Sequence, residues 1–187
     1  MKNEKLWSLK IPIKKSPKDK EMEKFFEICK KKLGLIPNII KTNSIDKKKF
    51  DAFNIFYNRL MQDDNYLTKT EKEMIAVVVS STNRCLYCCV SHGYTLGKLM
   101  NSIAKAKNIL INYEVAQISR KHKLMLDFAV KLTQASHKIN EDDRSKLRKI
   151  KFSELQILEI IEVTAFFNMT NRIASGTNMI PNKEYYN

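Results

Sequence analysis

The fold class of this chain turns on four residues, Ala76 to Val79. Read alone, Ala-Val-Val-Val is the sequence of a buried β-strand. Just upstream, Thr68 and Glu71 form the pattern T-x-x-E. In such a capping box the hydroxyl and the carboxylate each satisfy a backbone N–H at the start of a helix. That box and the Lys/Glu pattern behind it predict a helix through Met74, Ile75 and Val77 to about Thr82. Asn83-Arg84 then breaks it, and a second helix is expected from near Cys85 towards Met100. Ser153 and Gln156 open a long apolar helix in the same way, through Ile157, Ile160, Ile161, Val163, Phe166 and Phe167, and Gly176 ends it.

The rest of the chain reads the same way. Residues 1–15, with Trp7, Leu9, Ile11, Pro12 and Ile13, are expected to form an extended arm packed on the body. Residues 16–187 are expected to form a single domain. Ser16-Pro17 suits a helix start, and Met22, Phe25, Phe26, Cys29 and Leu33 then share one stripe before Gly34. Pro37 can open a short helical turn. A wide apolar face recurs from Asp46 to Met61, and further helices are expected after Ser119 and Asn140, with an irregular tail from Pro181. Four glycines and four prolines are too few for the many turns of an all-β chain, while 43% hydrophobic residues suffice for a core. The expectation is one all-α domain of about six to eight helices.

The formal charge of +14 raises the question of an acidic partner. Nucleic-acid recognition favours arginine, yet the arginines are only Arg59, Arg84, Arg120, Arg144, Arg148 and Arg172. The lysines are scattered and often stand beside Asp or Glu, the pattern of a solvated basic surface. No nucleic-acid or membrane partner is therefore expected. Met1 to Ile13 lacks the apolar run of an export signal, so a cytoplasmic location is expected. The cysteines are Cys29, Cys85, Cys88 and Cys89. Three within one short stretch suit redox or metal chemistry rather than a disulfide framework.

On a helix, Cys85 and Cys88 lie one turn apart on one face, about 5 Å between Cα atoms and within reach of a disulfide. His92 follows one turn beyond Cys88. A helix start favours thiolate, so the stretch holds a nucleophile, a resolving thiol and a base. Cys29 and Cys89 read as packing residues, although Cys89 is four positions from Cys85 and could compete for it. A structural zinc site normally takes four ligands and only three are in place, so no metal and no cofactor are expected. Glu73 lies on the preceding helix and could fold back to orient His92. On spacing alone it could equally be a surface glutamate paired with Lys69 or Lys72.

The pattern E-x11-C-x2-C-x3-H, read as Glu73, Cys85, Cys88 and His92, resembles the AhpD-like alkylhydroperoxidases of the carboxymuconolactone decarboxylase superfamily. The closer likeness is to its peroxidase-related branch. It extends to Leu33-Gly34-Leu35-Ile36-Pro37-Asn38, Asn83-Arg84-Cys85-Leu86-Tyr87-Cys88, Leu126-Asp127-Phe128-Ala129-Val130-Lys131-Leu132-Thr133 and Phe166-Phe167-Asn168-Met169-Thr170-Asn171-Arg172. The resemblance implies an all-α fold assembled as a homo-oligomer, a trimer or hexamer. It implies Cys88 as the peroxidatic thiol, Cys85 as the resolving one, and Glu73 with His92 as proton relay. The implied substrate is a hydroperoxide, and the implied reductant a dithiol, thioredoxin-like or lipoyl donor. The well-studied AhpD enzymes carry histidine between the two cysteines; here Tyr87 stands there, and tyrosine is no base at neutral pH. The alternatives are a thiol-disulfide oxidoreductase or a redox sensor. Phe166, Phe167, Asn168, Asn171 and Arg172 could line a pocket or a subunit interface, or equally be buried polar groups satisfied within an oligomer, and they stand outside the catalytic set.

Overall fold

The structure is a computed structural model and describes residues 6–11, 19–63 and 65–186. Among these residues there are nine α-helices and no strand. The class is all-α, as expected, with one helix more than the expected upper count. The first is α1 (Lys20–Leu33), followed by α2 (Asn38–Asn43) and α3 (Lys47–Tyr57). A π-helical turn, Asn58–Gln62, continues α3. Then come α4 (Lys69–Thr82), α5 (Leu86–Leu99), α6 (Ile103–Asn112), α7 (Arg120–Ala135), α8 (Glu141–Lys149) and α9 (Glu154–Gly176).

The Ser16-Pro17 start lies outside the described residues. The first turn of α1 is instead capped by Asp19, whose carboxylate accepts the Glu21 and Met22 N–H groups at 3.0 and 3.1 Å. Gly34 ends the helix in the left-handed region at φ 75°, a conformation open to glycine. The helix missed by sequence reading is α6. Its start is marked by Ser102, which accepts the Lys105 N–H at 3.3 Å. The predicted irregular tail ends in a short 3₁₀ turn, Lys183–Tyr186. The described part of the N-terminal arm lies along the C-terminal segment: Ser8 N–H donates to Thr177 O and Ile180 N–H to Leu6 O, both at 2.9 Å.

The α4 helix is the centre of the fold and packs against α5, α6, α7 and α9. Every residue from Glu71 to Ser80 is buried, and Ile75, Ala76, Val77 and Val79 have no exposed surface. A helix surrounded on all sides needs no polar stripe, which is why its sequence resembles a strand. The capping box decides the matter, with Thr68 and Glu71 bonded reciprocally. The second box, Ser153 with Gln156, starts α9, whose Ile157, Ile160, Val163, Phe166 and Phe167 join the same core.

Candidate active site

Three consecutive charged residues of α4 are buried, and each meets a different element. Glu71 lies 3.5 Å from His122 of α7. That histidine, with further help from Thr68, holds the Glu71 carboxyl down to about 2. Lys72 has no exposed surface and pairs with Glu159 of α9 at 3.0 Å, while also donating to Asp63 O at 2.6 Å. The other Glu159 oxygen accepts Leu67 and Tyr66 N–H at 2.6 and 3.1 Å. A buried charge needs such complete pairing. This ion pair was not foreseen from the sequence.

Glu73 is the third. Its carboxylate lies 2.7 Å from His92 Nδ1, so it faces α5 and not Lys69 or Lys72. The His92 ring stands edge-on to Phe167, with centroids 4.6 Å apart, which limits its rotation. Because the carboxylate engages Nδ1, Nε2 is the ring nitrogen left for proton exchange.

The break between α4 and α5 places the cysteines. Asn83 closes α4, Arg84 takes a left-handed φ of 52°, and Cys85 becomes the N-cap residue of α5. Cys85 N–H donates to Ser80 O at 3.0 Å, tying the turn to the core helix. Both Cys85 and Cys88 are buried and packed with Tyr87, Ala174 and Met179. The Cys88 thiol donates to the Cys85 sulfur. That bond, aided by the Cys88 backbone N–H, Ser175 and His92, holds the Cys85 thiol down to about 6 against the upward push of burial. The same bond, with burial, pushes Cys88 well above the usual thiol range, opposed by the amide of Asn171. Within the pair these influences favour the negative charge on Cys85 over Cys88.

Cys29 and Cys89 differ from this pair. Burial raises both thiols, Cys89 to about 11 with a further push from Cys85. Among the described residues, no group of three His, Cys, Asp or Glu side chains is arranged to hold a metal ion, and no helix is long and apolar enough to cross a membrane.

The carboxymuconolactone decarboxylase family profile matches residues 49–109, which include α4, α5 and Cys85, Cys88 and Cys89. The chain is also similar to the crystal structure of an uncharacterized peroxidase-related protein from Silicibacter sp. TM1040. The two are 44% identical with a TM-score of 0.94, covering 100% of this chain and 97% of that one. The chain belongs to the AhpD-like carboxymuconolactone decarboxylase superfamily. A second member of that superfamily, an alkylhydroperoxidase AhpD core protein from Ralstonia eutropha JMP134, is 35% identical. Its TM-score is 0.85, with 94% of this chain and 96% of that chain covered. The debrominase Bmp8 shares the fold at 18% identity, with a TM-score of 0.76 over 89% of each chain. No curated protein matches.

In this AhpD-like chain Tyr87 has a structural place. It is buried, and its hydroxyl accepts the Ile39 N–H of α2 at 3.1 Å. Burial raises its pKa well above the ordinary phenol value, with Tyr185 of the terminal 3₁₀ turn adding to the shift. Sequence reasoning also set Asn171 aside, yet it is buried on α9 and its amide acts to draw the Cys88 thiol down. The signal was the Phe166-to-Arg172 block itself, whose polar residues recur among apolar ones.

Proposed function

We propose that the chain is a thiol-dependent peroxidase that reduces hydroperoxides through Cys85 and Cys88. The observation that carries this reading is the 2.7 Å contact between Glu73 and His92, which stands on the helix that begins at the buried Cys85–Cys88 pair. A carboxylate beside an imidazole orients the ring and stabilises its protonated form for delivery to a leaving oxygen, and the two cysteines supply the attacking and the resolving sulfur.

Movement of the Cys88 proton to the Cys85 sulfur, along their hydrogen bond, transfers the charge to Cys88. The Cys88 thiolate attacks the outer oxygen of the hydroperoxide, the O–O bond breaks, and the alkoxide takes a proton from His92. The products are an alcohol and a Cys88 sulfenic acid. The Cys85 thiol, losing its proton, attacks that sulfur and water leaves, giving the Cys85–Cys88 disulfide. A dithiol donor of the thioredoxin or dihydrolipoyl class then reduces the disulfide and is itself oxidised. His92 recovers its proton from solvent. The family's AhpD-named members support this reading. In the test, Cys88→Ser abolishes peroxide consumption while the helical circular-dichroism signal persists. Unchanged turnover in that variant sinks the proposal.

A second reading is favoured by the Cys85 thiol held at about 6. A thiolate resting on the first cysteine of C-x-x-C suits thiol-disulfide exchange, with Cys85 attacking a substrate disulfide and Cys88 resolving it. Stopped-flow peroxide titration alongside a measured reduction potential separates the two. Slow peroxide reaction with fast disulfide exchange favours the second.

A further inference from the structure

Three amide side chains connect the surface to the cysteine pair: Asn168 and Asn171 on α9, and Asn83 at the end of α4. Each could in principle point its oxygen or its nitrogen either way. Their directions follow from groups that have only one role. The Arg172 guanidinium can only donate, and its Nη1 donates to Asn168 Oδ1 at 2.7 Å. On the other side of that amide, Asn168 Nδ2 donates to the Thr164 carbonyl oxygen at 3.0 Å, a group that can only accept. The two contacts agree, so Asn168 turns its oxygen towards Asn83.

The rest follows in sequence. Asn83 must meet that oxygen with its nitrogen, at 3.1 Å. The same Nδ2 has a second hydrogen, which goes to Asn171 Oδ1 at 2.9 Å. With its oxygen taken by a donor, Asn171 turns Nδ2 inwards, where one hydrogen reaches Ser80 Oγ at 3.0 Å. The other is left for the buried cluster of the cysteine pair, where the Asn171 amide acts to draw the Cys88 thiol down. Asn171 is 1% exposed, so water does not compete for this N–H. Ala174, one turn further along α9, belongs to the same buried cluster as Cys85 and Cys88, which brings this face of the helix to the pair.

We propose that Asn171 is a catalytic hydrogen-bond donor to the Cys88 sulfur, and that Arg172, Asn168 and Asn83 are positioning residues that keep its N–H turned inwards. The inference rests on the reading of Cys88 as a redox thiol. Its consequence is specific to the charged step. When the proton leaves Cys88 for Cys85, this N–H faces a full negative charge, and hydrogen bonds to charged groups are the strong ones. The donor lowers the cost of moving the charge onto the attacking sulfur without touching the substrate. A purely structural role would satisfy the same buried amides but leave the titration of Cys88 where it was.

The experiment isolates Cys88 in the full-length chain carrying Cys85→Ser, so that no second cysteine of the pair shares its proton. The rate of Cys88 alkylation by iodoacetamide is followed against pH, with fragment mass spectrometry separating Cys88 from Cys89. Adding Asn171→Ala is expected to raise the midpoint by about one pH unit, a roughly tenfold slower reaction at neutral pH. Adding Asn83→Ala instead, which frees the Asn171 amide to turn, is expected to shift the midpoint less but in the same direction. An unmoved midpoint in a folded Asn171→Ala protein overturns the proposal. If that variant does not fold, the partly buried Asn83 site decides, and an unmoved midpoint there overturns it equally. The readout uses no peroxide, so its failure is distinct from that of the peroxidase reading. A midpoint shift in a chain that consumes no peroxide retains Asn171 and removes the activity, and the opposite result does the reverse.

Discussion

Replacing Cys88 by alanine should move the titration of Cys85 by a predictable amount. In the parent protein the Cys85 thiol is held at about 6, against an ordinary value of 9.0. At pH 7 this corresponds to about 90% thiolate, where an ordinary thiol would show about 1%. The largest cause is the hydrogen bond donated by the Cys88 thiol. Such a bond to a charged acceptor is worth about 1.5–3 kcal/mol, and each pH unit corresponds to about 1.4 kcal/mol. Cys88→Ala therefore raises the midpoint by about one to two units, to about 7–8, and leaves roughly 10–50% thiolate at pH 7. It does not restore 9.0, because the backbone N–H at position 88, Ser175 and His92 still act on the sulfur. The assay is the ultraviolet absorbance of the thiolate against pH. Cys29 and Cys89 titrate higher and do not overlap the transition. Cys88→Ser keeps an O–H donor and should stay near the parent midpoint. The shift also links to folding. A thiol depressed in the folded state stabilises it fully above the unfolded value of 9.0, and this contribution is lost as pH falls to about 6. The parent should gain stability between those limits, and Cys88→Ala should gain less. A Cys88→Ala midpoint that remains near 6 would refute the assignment of the shared proton.

Two further outcomes test the residues of α4. Glu73→Gln keeps an acceptor for the His92 Nδ1–H while removing the charge, and should slow peroxide consumption by about 10- to 100-fold with the fold intact; an unchanged rate removes Glu73 from the relay. Lys72→Met strands the buried Glu159 carboxylate with backbone partners alone, and urea denaturation should show a loss of about 3–5 kcal/mol. A loss below about 1 kcal/mol would mean that the pair is not the buried lock described above.

What could be read from the sequence was whatever is local. Capping boxes at Thr68 and Ser153 mark two helix starts, and the first of them outweighs the strand-like Ala76–Val79 run. Ser102 offers only a cap without the reciprocal Glu or Gln, and α6 went unrecognised. The spacing of Cys85, Cys88 and His92 was visible because all three lie on one helix. Whether Glu73 met His92 or a lysine depended on how α4 and α5 fold back on each other, which spacing does not state. Asn171 was harder still. It reaches Cys88 from another helix, and its role depends on the direction of an amide, which no residue count encodes. The buried Lys72–Glu159 pair was hidden for the same reason, since lysine and glutamate on helices usually face water.

The arrival of Asn171 from α9 also has a consequence in time. It follows Cys88 by 83 positions in the chain. At about 5–20 residues per second, a ribosome adds it roughly 4 to 17 seconds after the cysteine. Ser175 comes later still, and so does Tyr185, which neighbours the hydroxyl between the two cysteines. A nascent chain thus carries α5 for several seconds before α9 can supply the inward-facing N–H. During that interval Cys88 is a cysteine without its donor, and the tuned pair comes into being only when the last long helix docks.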